Sequence, residues 1–424
     1  SLDTRTARRP VPAAPGAPAL LRVRAVTAAE HAAAQAGREV SFLQTPAWAA
    51  VKAGWRPEHL AWTDERGDVV GTALVLHRSV PGTRRSLAYL PEGPDLPWRD
   101  VAVAPAAWLD PLVEHLREGG AFAVRIGPRV PVRRWTARTA KAGLADPAAK
   151  RFADLPADAF ETLGLGLVAA LREHGWSRPD GGNAFGSGQP RLSVEIPLAG
   201  RDADAVLAGM NTQWRRAVRA SAKAGVTCRE GGRDELATFC ALYRETAARD
   251  GFTPRPDSYF TRMWDAMREG PGAAQLRLHL AEATVVAEDG TPTGDVEVLA
   301  AALTVDVGQR RWYSYGASTG RRRQVQASTA LQWHMLTSGL ERGAHVHDLR
   351  GIADTLDPEH PQGGLLRFKL GTGGDVVEYA GEWELVLSRP TAAAVRLGQA
   401  AQGRLVRARR SVRTLRSRRP GGAS

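Results

Sequence analysis

The segment DAVLAGMNTQWRRAVRASAKAG, residues 204–225, sets the architecture of the second half of the chain. Apolar residues recur in it at every fourth position: Val206, Met210, Trp214 and Val218. Basic residues follow the same spacing on the neighbouring face: Arg215, Arg219 and Lys223. A period close to the helical repeat is typical of an amphipathic helix. We therefore predict one helix over this segment, with its apolar stripe turned toward a core.

The segments after residue 225 predict the rest of this half. A second helix is predicted over residues 234–250 and a later one over residues 324–342, which ends at Gly343. Apolar runs bounded by Gly, Pro and Asp predict strands over residues 275–286, 296–307, 311–316 and 345–349. Two helices, antiparallel strands and then a strand–loop–helix–strand unit form the order of an acyltransferase domain of the GNAT type.

The first half alternates strands and helices with longer connections. Strands are predicted over residues 69–76, 86–90 and 121–126, and helices over residues 101–118 and 160–174. Such alternation indicates a mixed α/β domain. We predict an α/β (α+β) fold of two GNAT-like domains side by side. The predicted ranges are residues 21–190, completed by residues 376–395, for the first domain and residues 191–375 for the second.

Charge is concentrated at the C-terminal end. The 424-residue chain has a net charge of +12, and residues 389–424 contain ten Arg and no acidic residue. We predict a basic tail over residues 396–424 that contacts a polyanion, with anionic membrane favoured over tRNA. Residues 1–20 lack the apolar core of a secretory signal and predict a disordered leader. No apolar run reaches the roughly 18 residues of a membrane span, so we expect a cytoplasmic protein, peripheral at the inner face of the cell membrane.

Four short motifs occur in order along the chain. They are SFLQTPAW (residues 41–48) with Lys52 after it, YLPEGP (residues 89–94), RAVRASAKAGV (residues 216–226) and GLLRFK (residues 364–369) with Gly371 and Gly373 after it. Together they resemble the motifs of the Fem family (FemA, FemB and FemX) of peptidoglycan bridge-forming aminoacyltransferases. No heptad run follows Ala203, so the chain is more similar to the shorter members, which lack a coiled-coil arm.

The resemblance implies a reaction. An amino acid, with glycine favoured, would pass from aminoacyl-tRNA to the stem-peptide side-chain amine of a peptidoglycan precursor. The precursor is lipid II or UDP-MurNAc-pentapeptide, and no cofactor or metal is implied. Because the ester is already activated, the enzyme mainly has to position the amine and stabilise the developing oxyanion. A monomer is expected.

The resemblance also implies site residues. Lys369 is the candidate for stabilising the oxyanion or the tRNA terminus, and Phe368 is the candidate for shaping the pocket. The candidate substrate-binding residues are Lys52, Arg255 and Tyr259, which match phosphate-holding positions, and Tyr315, which matches a pocket tyrosine. Lys52 and Lys369 are also notable because the chain has only five Lys among its 57 Lys and Arg residues. A compact ammonium offers a point charge that a guanidinium does not.

Two other functions remain open from the sequence. The first is an acyl-CoA-dependent N-acyltransferase of the GNAT type, whose pyrophosphate loop requires close backbone approach. The equivalent segment here, RRRQVQA at residues 321–327, is basic but contains no glycine. The second is a non-catalytic membrane or nucleic-acid binding protein, which the Arg-rich tail alone would support.

Overall fold

The computed structural model describes residues 20–179, 188–269, 274–286, 291–357 and 359–398. The predicted leader, apart from its last residue, and the predicted tail from residue 399 onward lie outside the described residues. Within the described ranges, no helix has both the length and the apolar composition needed to cross a membrane.

Two β-sheets organise the described residues. The first sheet has the strand order β1-β2-β3-β4-β5-β15, and the second has the order β7-β6-β14-β8-β13-β12-β11-β10-β9. The strands of the first sheet are β1 (Arg22–Ala25), β2 (Arg56–Thr63), β3 (Val69–Ser79), β4 (Ser86–Leu90), β5 (Ala121–Ile126) and β15 (Trp383–Val386). The strands of the second sheet are β6 (Pro131–Trp135), β7 (Ala159–Phe160), β8 (Leu192–Pro197), β9 (Thr227–Gly231), β10 (Gln275–Val286), β11 (Pro292–Val307), β12 (Arg310–Ser318), β13 (Val346–Ile352) and β14 (Asp375–Tyr379).

Helices cover these sheets. They are α1 (Ala28–Ala34), α2 (Pro46–Val51), α3 (Trp98–Val103), α4 (Pro105–Glu118), α5 (Ala137–Ala145), α6 (Thr162–Glu173), α7 (Ala203–Gly209), α8 (Thr212–Lys223), α9 (Leu236–Asp250), α10 (Asp257–Trp264), α11 (Ala327–Glu341) and α12 (Gly363–Gly371). The longest of them, α9 and α11, have 15 residues each, and the described residues include no coiled-coil arm. The predicted mixed α/β (α+β) class is confirmed, and its described strands form two sheets.

The helix predicted over residues 204–225 is two helices, so the prediction of one helix was wrong. Met210 has an extended backbone between α7 and α8. Asn211 begins α8, because its side chain accepts a 2.8 Å hydrogen bond from the backbone N–H of Trp214. The break leaves the Asn211 N–H free to donate to the Gly371 carbonyl at 2.9 Å. The apolar stripe survives the break, since Val206, Met210, Trp214 and Val218 are all buried in one core cluster.

Two other predicted helices are also divided. The helix predicted over residues 101–118 is α3 and α4, because Pro105 starts a new helix at its first position. The helix predicted over residues 324–342 is a short 3₁₀ turn, Arg323–Val325, followed by α11. Gln326 separates the two in the left-handed conformation, with φ of 58°.

The two halves of the chain share one apolar core. Phe42 and Trp48 from the first motif are buried in the same cluster as Phe260 from α10 and Trp312 from β12. The rings of Phe42 and Trp312 meet edge to face, with centroids 5.4 Å apart. Fully burying a side chain of this size stabilises a fold by roughly 1.5–3 kcal/mol. The contact between the halves is therefore part of the hydrophobic core.

Strand pairing does not follow the predicted domain ranges. Strands β6 and β7 lie in the second sheet, although their residues fall within the predicted range 21–190. Strand β14 also lies in the second sheet, where Val376 pairs with Trp135 and Val194. Only β15 returns to the first sheet, against β5. The division into domains stays a prediction.

Two neighbouring parallel strands of the second sheet separate from each other and open a cleft. β12 and β13 pair only from Arg310 to Trp312, opposite Val346 to Asp348. Beyond these residues β13 pairs with β8 and not with β12. Their later residues, at 314–315 and 350–352, therefore face an open space.

Candidate active site

A cavity of about 710 Å³ fills the space where β12 and β13 separate. It is lined from the second half by Ser314, Tyr315, Arg350, Gly351 and Ile352. The first half contributes residues of α2, β3 and β4 and the loops beside them. The cavity therefore lies between the two halves of the chain.

All four residues predicted to bind substrate line this cavity: Lys52, Arg255, Tyr259 and Tyr315. Lys52 ends α2 as its C-terminal cap. Arg255 lies just before α10, and its guanidinium carbon is 5.2 Å from the centroid of the Tyr259 ring. The hydroxyls of Tyr259 and Tyr315 are 2.9 Å apart, which ties α10 to β12 across the cavity wall. The structure thus brings together residues that are separated by more than 200 positions in the chain.

The cavity is positively charged. Among the described residues, no carboxylate lies within ion-pair distance of Lys52 or Arg255. Burial lowers the pKa of Lys52, and the nearby charges of Arg255 and Arg78 lower it further. Lys52 and Arg255 lie close together without an acidic partner among the described residues, which favours an anionic ligand because the ligand removes their mutual repulsion.

Lys369 lies behind the cavity, on α12. Its side chain is buried, and its Nζ donates to the carbonyl oxygens of Gly351 at 2.8 Å and Arg350 at 3.4 Å. Burial lowers the pKa of Lys369 to about 8; Asp348 opposes this shift and Arg350 adds to it. The ammonium is therefore tied to the backbone of two residues that line the cavity.

Phe368 faces a second cavity, of about 600 Å³. Its ring lies 4.8 Å from the Trp214 ring of α8, and its carbonyl accepts a 3.1 Å hydrogen bond from Trp214 Nε1. The same cavity is lined by four arginines and the first turn of α11: Arg249, Arg321, Arg322, Arg323 and residues 327–329. Phe368 therefore lines the second cavity, while Lys369 contacts the backbone behind the first, because neighbouring positions on a helix point about 100° apart.

Comparison with known proteins identifies the family of this chain. The family model described as "FemAB family" matches residues 26–285 and 273–399. The chain belongs to the FemAB family. The resemblance drawn from the four motifs is therefore confirmed.

Two curated relatives and one solved structure are similar to this FemAB-family chain over most of its length. A lipid II:glycine glycyltransferase of Staphylococcus saprophyticus is 26% identical over 415 residues, covering 85% of this chain and 92% of the relative. A protein of the same name from Staphylococcus aureus is 26% identical over 405 residues, covering 82% and 89%. The crystal structure of FemX superposes with a TM-score of 0.71 at 23% identity, covering 88% of this chain and 100% of that one. The FemX match supports the fold.

Trp55 and Arg78 are among the cavity residues of this FemAB-family protein that sequence reasoning missed. The Trp55 ring lies between two cations: its centroid is 5.6 Å from Lys52 Nζ and 5.5 Å from Arg78 Cζ. Trp55 could have been found from its position three residues after Lys52. Arg78 carries no such signal, because only the pairing of β2 with β3 brings it beside Trp55.

A buried network of charges, also missed, supports the cavity from below. Arg350 has the left-handed φ of 64°, which non-glycine residues rarely adopt. Its backbone N–H donates to Asp348 at 2.7 Å, and its guanidinium donates to Glu92 at 2.7 Å and Gln189 at 2.9 Å. These bonds hold the peptide groups that accept from Lys369. Glu92 belongs to the YLPEGP motif, so that motif contributes a carboxylate to the buried charge network that holds Arg350.

Arg129 is at the centre of this network. Its guanidinium contacts Glu92 at 3.4 Å, Glu195 at 2.8 Å and Asp348 at a still closer distance. It also donates to the Tyr379 hydroxyl at 2.9 Å. These residues come from both halves of the chain, so the network fixes the halves relative to each other under the cavity. Buried charges are tolerated in this way when each is paired and hydrogen-bonded.

Proposed function

We propose that this FemAB-family chain transfers glycine from glycyl-tRNA to the stem-peptide side-chain amine of lipid II. The observation that carries the proposal is the cationic cavity whose rear wall, at Arg350 and Gly351, binds Lys369. The staphylococcal relatives named lipid II:glycine glycyltransferases support the choice of glycine and of lipid II. A lipid-linked acceptor would bring the enzyme to a membrane surface as a peripheral protein.

The acceptor would occupy the first cavity. Its phosphates would bind Lys52 and Arg255, since an ammonium and a guanidinium both form charge-assisted hydrogen bonds with phosphate oxygens. Tyr259 and Tyr315, linked through their hydroxyls, would shape the wall beside them. The stem-peptide amine would then lie toward Arg350 and Gly351.

The aminoacyl end of the tRNA would enter by the second cavity, past Phe368. The amine nitrogen attacks the ester carbonyl carbon, a C–N bond forms, and the C–O bond to the terminal ribose breaks. The amine loses a proton, and the ribose hydroxyl gains one. Lys369 would stabilise the oxyanion of the tetrahedral intermediate, and no nucleophilic side chain is needed because the ester is already activated.

The testing experiment is a transfer assay with purified protein. Total tRNA charged with labelled amino acids is the donor, and lipid II in vesicles and UDP-MurNAc-pentapeptide are tested in parallel as acceptors. We expect lipid II extended by one glycine, without added ATP or metal. Acetyl-CoA replaces the tRNA in a second arm, because the arginines of the second cavity would also suit a pyrophosphate. Acetylation without aminoacyl transfer, or no product from any charged tRNA, would overturn the proposal.

A further inference from the structure

The helix α8 presents a row of exposed basic side chains. Arg216, Arg219 and Lys223 are exposed and lie three and four residues apart, so they share one face over roughly 10 Å of helix. Among the described residues, no carboxylate lies within ion-pair distance of any of the three. Arg215, in contrast, donates to backbone carbonyls at the end of α7, so its role is structural.

The sequence around α8 leaves these charges uncompensated. Residues 205–229 contain no Asp or Glu, although the chain has 45 acidic residues in 424. Acidic residues at i±3 or i±4 would offset basic residues on an exposed helix. At the end of this stretch, Arg229 on strand β9 does have acidic partners, since it pairs with Glu235 and Glu282 at 2.6 Å each. The lack of acidic partners is therefore a local feature of α8.

The helix α8 and the residue just after it contact residues that line the second cavity. Near its beginning, the Trp214 ring packs in a tilted arrangement against Phe368, which lines that cavity. Just after its end, Val226 packs on the cluster that contains Val325 and Ala327, at the start of α11. Both contacts are with parts of the chain that line the second cavity, since Phe368 and Ala327 belong to its lining together with Arg321, Arg322 and Arg323.

A membrane does not fit this face. Interfacial helices place large apolar side chains in the lipid on the side opposite their charges. The large apolar residues of α8, Trp214 and Val218, are buried against the protein core. Its other exposed positions carry Ala, Thr and Gln. A row of cations without apolar neighbours fits a polyphosphate backbone instead.

We propose that the row Arg216, Arg219 and Lys223 docks the phosphate backbone of the donor RNA, beside the point where its aminoacyl end enters the second cavity. This inference rests on the proposed function, because it assigns a binding surface to the tRNA. Such contacts carry no sequence information. They orient the RNA and raise its affinity through release of counterions.

The test measures binding of uncharged tRNA as a function of NaCl concentration, by fluorescence anisotropy. The variant Arg216→Gln/Arg219→Gln/Lys223→Gln keeps good helix formers on an exposed face and should fold normally. Each lost phosphate contact lowers the slope of log K against log salt by about 0.9, as for duplex DNA. We expect the slope to fall by roughly two to three, and affinity near 0.1 M salt to weaken by at least tenfold.

The matched control is Arg66→Gln/Arg84→Gln/Arg85→Gln. These three arginines are exposed on loops of the first half, and their loss changes the net charge equally. The control should bind tRNA like wild type. Equal slopes for wild type and the α8 variant, or equal losses in both variants, would overturn the inference. So would weaker binding of the α8 variant to phosphatidylglycerol vesicles with unchanged tRNA binding.

The outcomes separate this inference from the proposed function. If wild type transfers glycine from tRNA while the α8 variant keeps the wild-type slope, only the docking surface is wrong. If no charged tRNA supports transfer, the proposed function itself fails.

Discussion

Lys369 Nζ donates a 2.8 Å hydrogen bond to the carbonyl oxygen of Gly351, and Gly351 lines the cavity that gathers Lys52 and Arg255. The bond connects the buried helix α12 to the wall of the first cavity. It holds the ammonium at a fixed place without neutralising it, because a carbonyl carries no formal charge. An ammonium held in a fixed position can stabilise negative charge that develops on a substrate.

The first prediction concerns the rate. Lys369→Met should slow glycyl transfer by roughly 10²-fold or more, the size of effect reported for loss of one oxyanion donor. The Michaelis constant for the acceptor should change little, because the lost interaction forms in the transition state. Steady-state transfer to lipid II measures both constants. Lys150→Met, which removes an exposed lysine, is the control, and a Lys369→Met enzyme of near wild-type rate would contradict the assigned role.

The second prediction concerns pH. Burial favours the neutral amine and lowers the pKa of Lys369 to about 8, so the ammonium is present below that pH and lost above it. The wild-type turnover number should therefore fall as pH rises through about 8, as for one titrating group. The profile is measured under saturating substrates, with spontaneous ester hydrolysis subtracted. Lys369→Met should lack this fall, and parallel profiles for the two enzymes would assign the titration to another group.

The third prediction concerns the acceptor. Lys52→Ala and Arg255→Ala should each raise the acceptor Michaelis constant by about 10- to 100-fold, as expected for losing a hydrogen bond with a charged partner. The turnover number should change less, because ground state and transition state lose the same contact. Tyr259→Ala should act in the same direction, and Tyr259→Phe isolates the hydroxyl bond to Tyr315. Arg84→Ala serves as control; unchanged Michaelis constants in all these variants would place the acceptor elsewhere.

Local patterns in the sequence predicted much of the fold, and long-range pairing explains what they missed. Strands such as Ser86–Leu90 and Ala121–Ile126 were predicted to the residue, since a short apolar run with Gly or Pro at its ends contains its own boundaries. The break at Met210 was not predicted, because it depends on the bond from Asn211 to Gly371, 160 positions away. Because the apolar residues keep their four-residue spacing across the break, the hydrophobic periodicity alone does not indicate that the helix ends there.

The residues of the candidate site likewise fall into two groups: those that short motifs identified and those that only the fold brings to the site. Motif resemblance identified Lys52 and Lys369 by their positions in short patterns. Arg78 and Arg129 belong to no motif quoted from the sequence, and they reach the site only because β3 and the segment after β5 meet the second half. The cavity contacts of the predicted residues are observations on the fold, and their roles in binding and catalysis stay predictions.

The fourth prediction concerns stability. Glu92 is buried with Arg350 at 2.7 Å, Arg129 at 3.4 Å and Ser41 at 2.5 Å. Glu92→Gln leaves both guanidinium groups without that charge, and breaking a buried pair costs about 3–5 kcal/mol of unfolding free energy. Urea denaturation at pH 7 measures the loss. Glu118→Gln, on an exposed helix end, should change stability by no more than about 0.5 kcal/mol.

The pH dependence of stability supplies a second measurement on Glu92. Burial alone would raise the pKa of Glu92, but Arg350 and Arg129 hold it below its ordinary value. A carboxyl with a lowered pKa stabilises the fold above the pKa of the unfolded chain and loses that contribution as pH falls through the folded value. Wild type should therefore lose stability on acidification below about pH 4.5 more steeply than Glu92→Gln. Identical slopes would show that Glu92 is not ionised in the fold.

The last prediction concerns the tail, residues 396–424, which lies outside the described residues from position 399 onward. Its sequence places Leu405, Val406, Val412 and Leu415 among its arginines. Basic residues near anionic lipid gain about 1 kcal/mol each, and apolar residues between them favour a membrane over RNA. A chain that ends at residue 398 keeps the contact of Arg396 with Glu384 at 4.0 Å.

This truncated chain should sediment less with phosphatidylglycerol vesicles than the full chain. Because lipid II is presented on such vesicles, transfer to lipid II should slow while transfer to UDP-MurNAc-pentapeptide stays unchanged. The soluble acceptor is thus the internal control for folding and catalysis. Equal loss on both acceptors, together with weaker tRNA binding, would assign the tail to the RNA as a basic element additional to α8. Unchanged sedimentation and unchanged transfer would mean that the arginines of the tail contact neither polyanion.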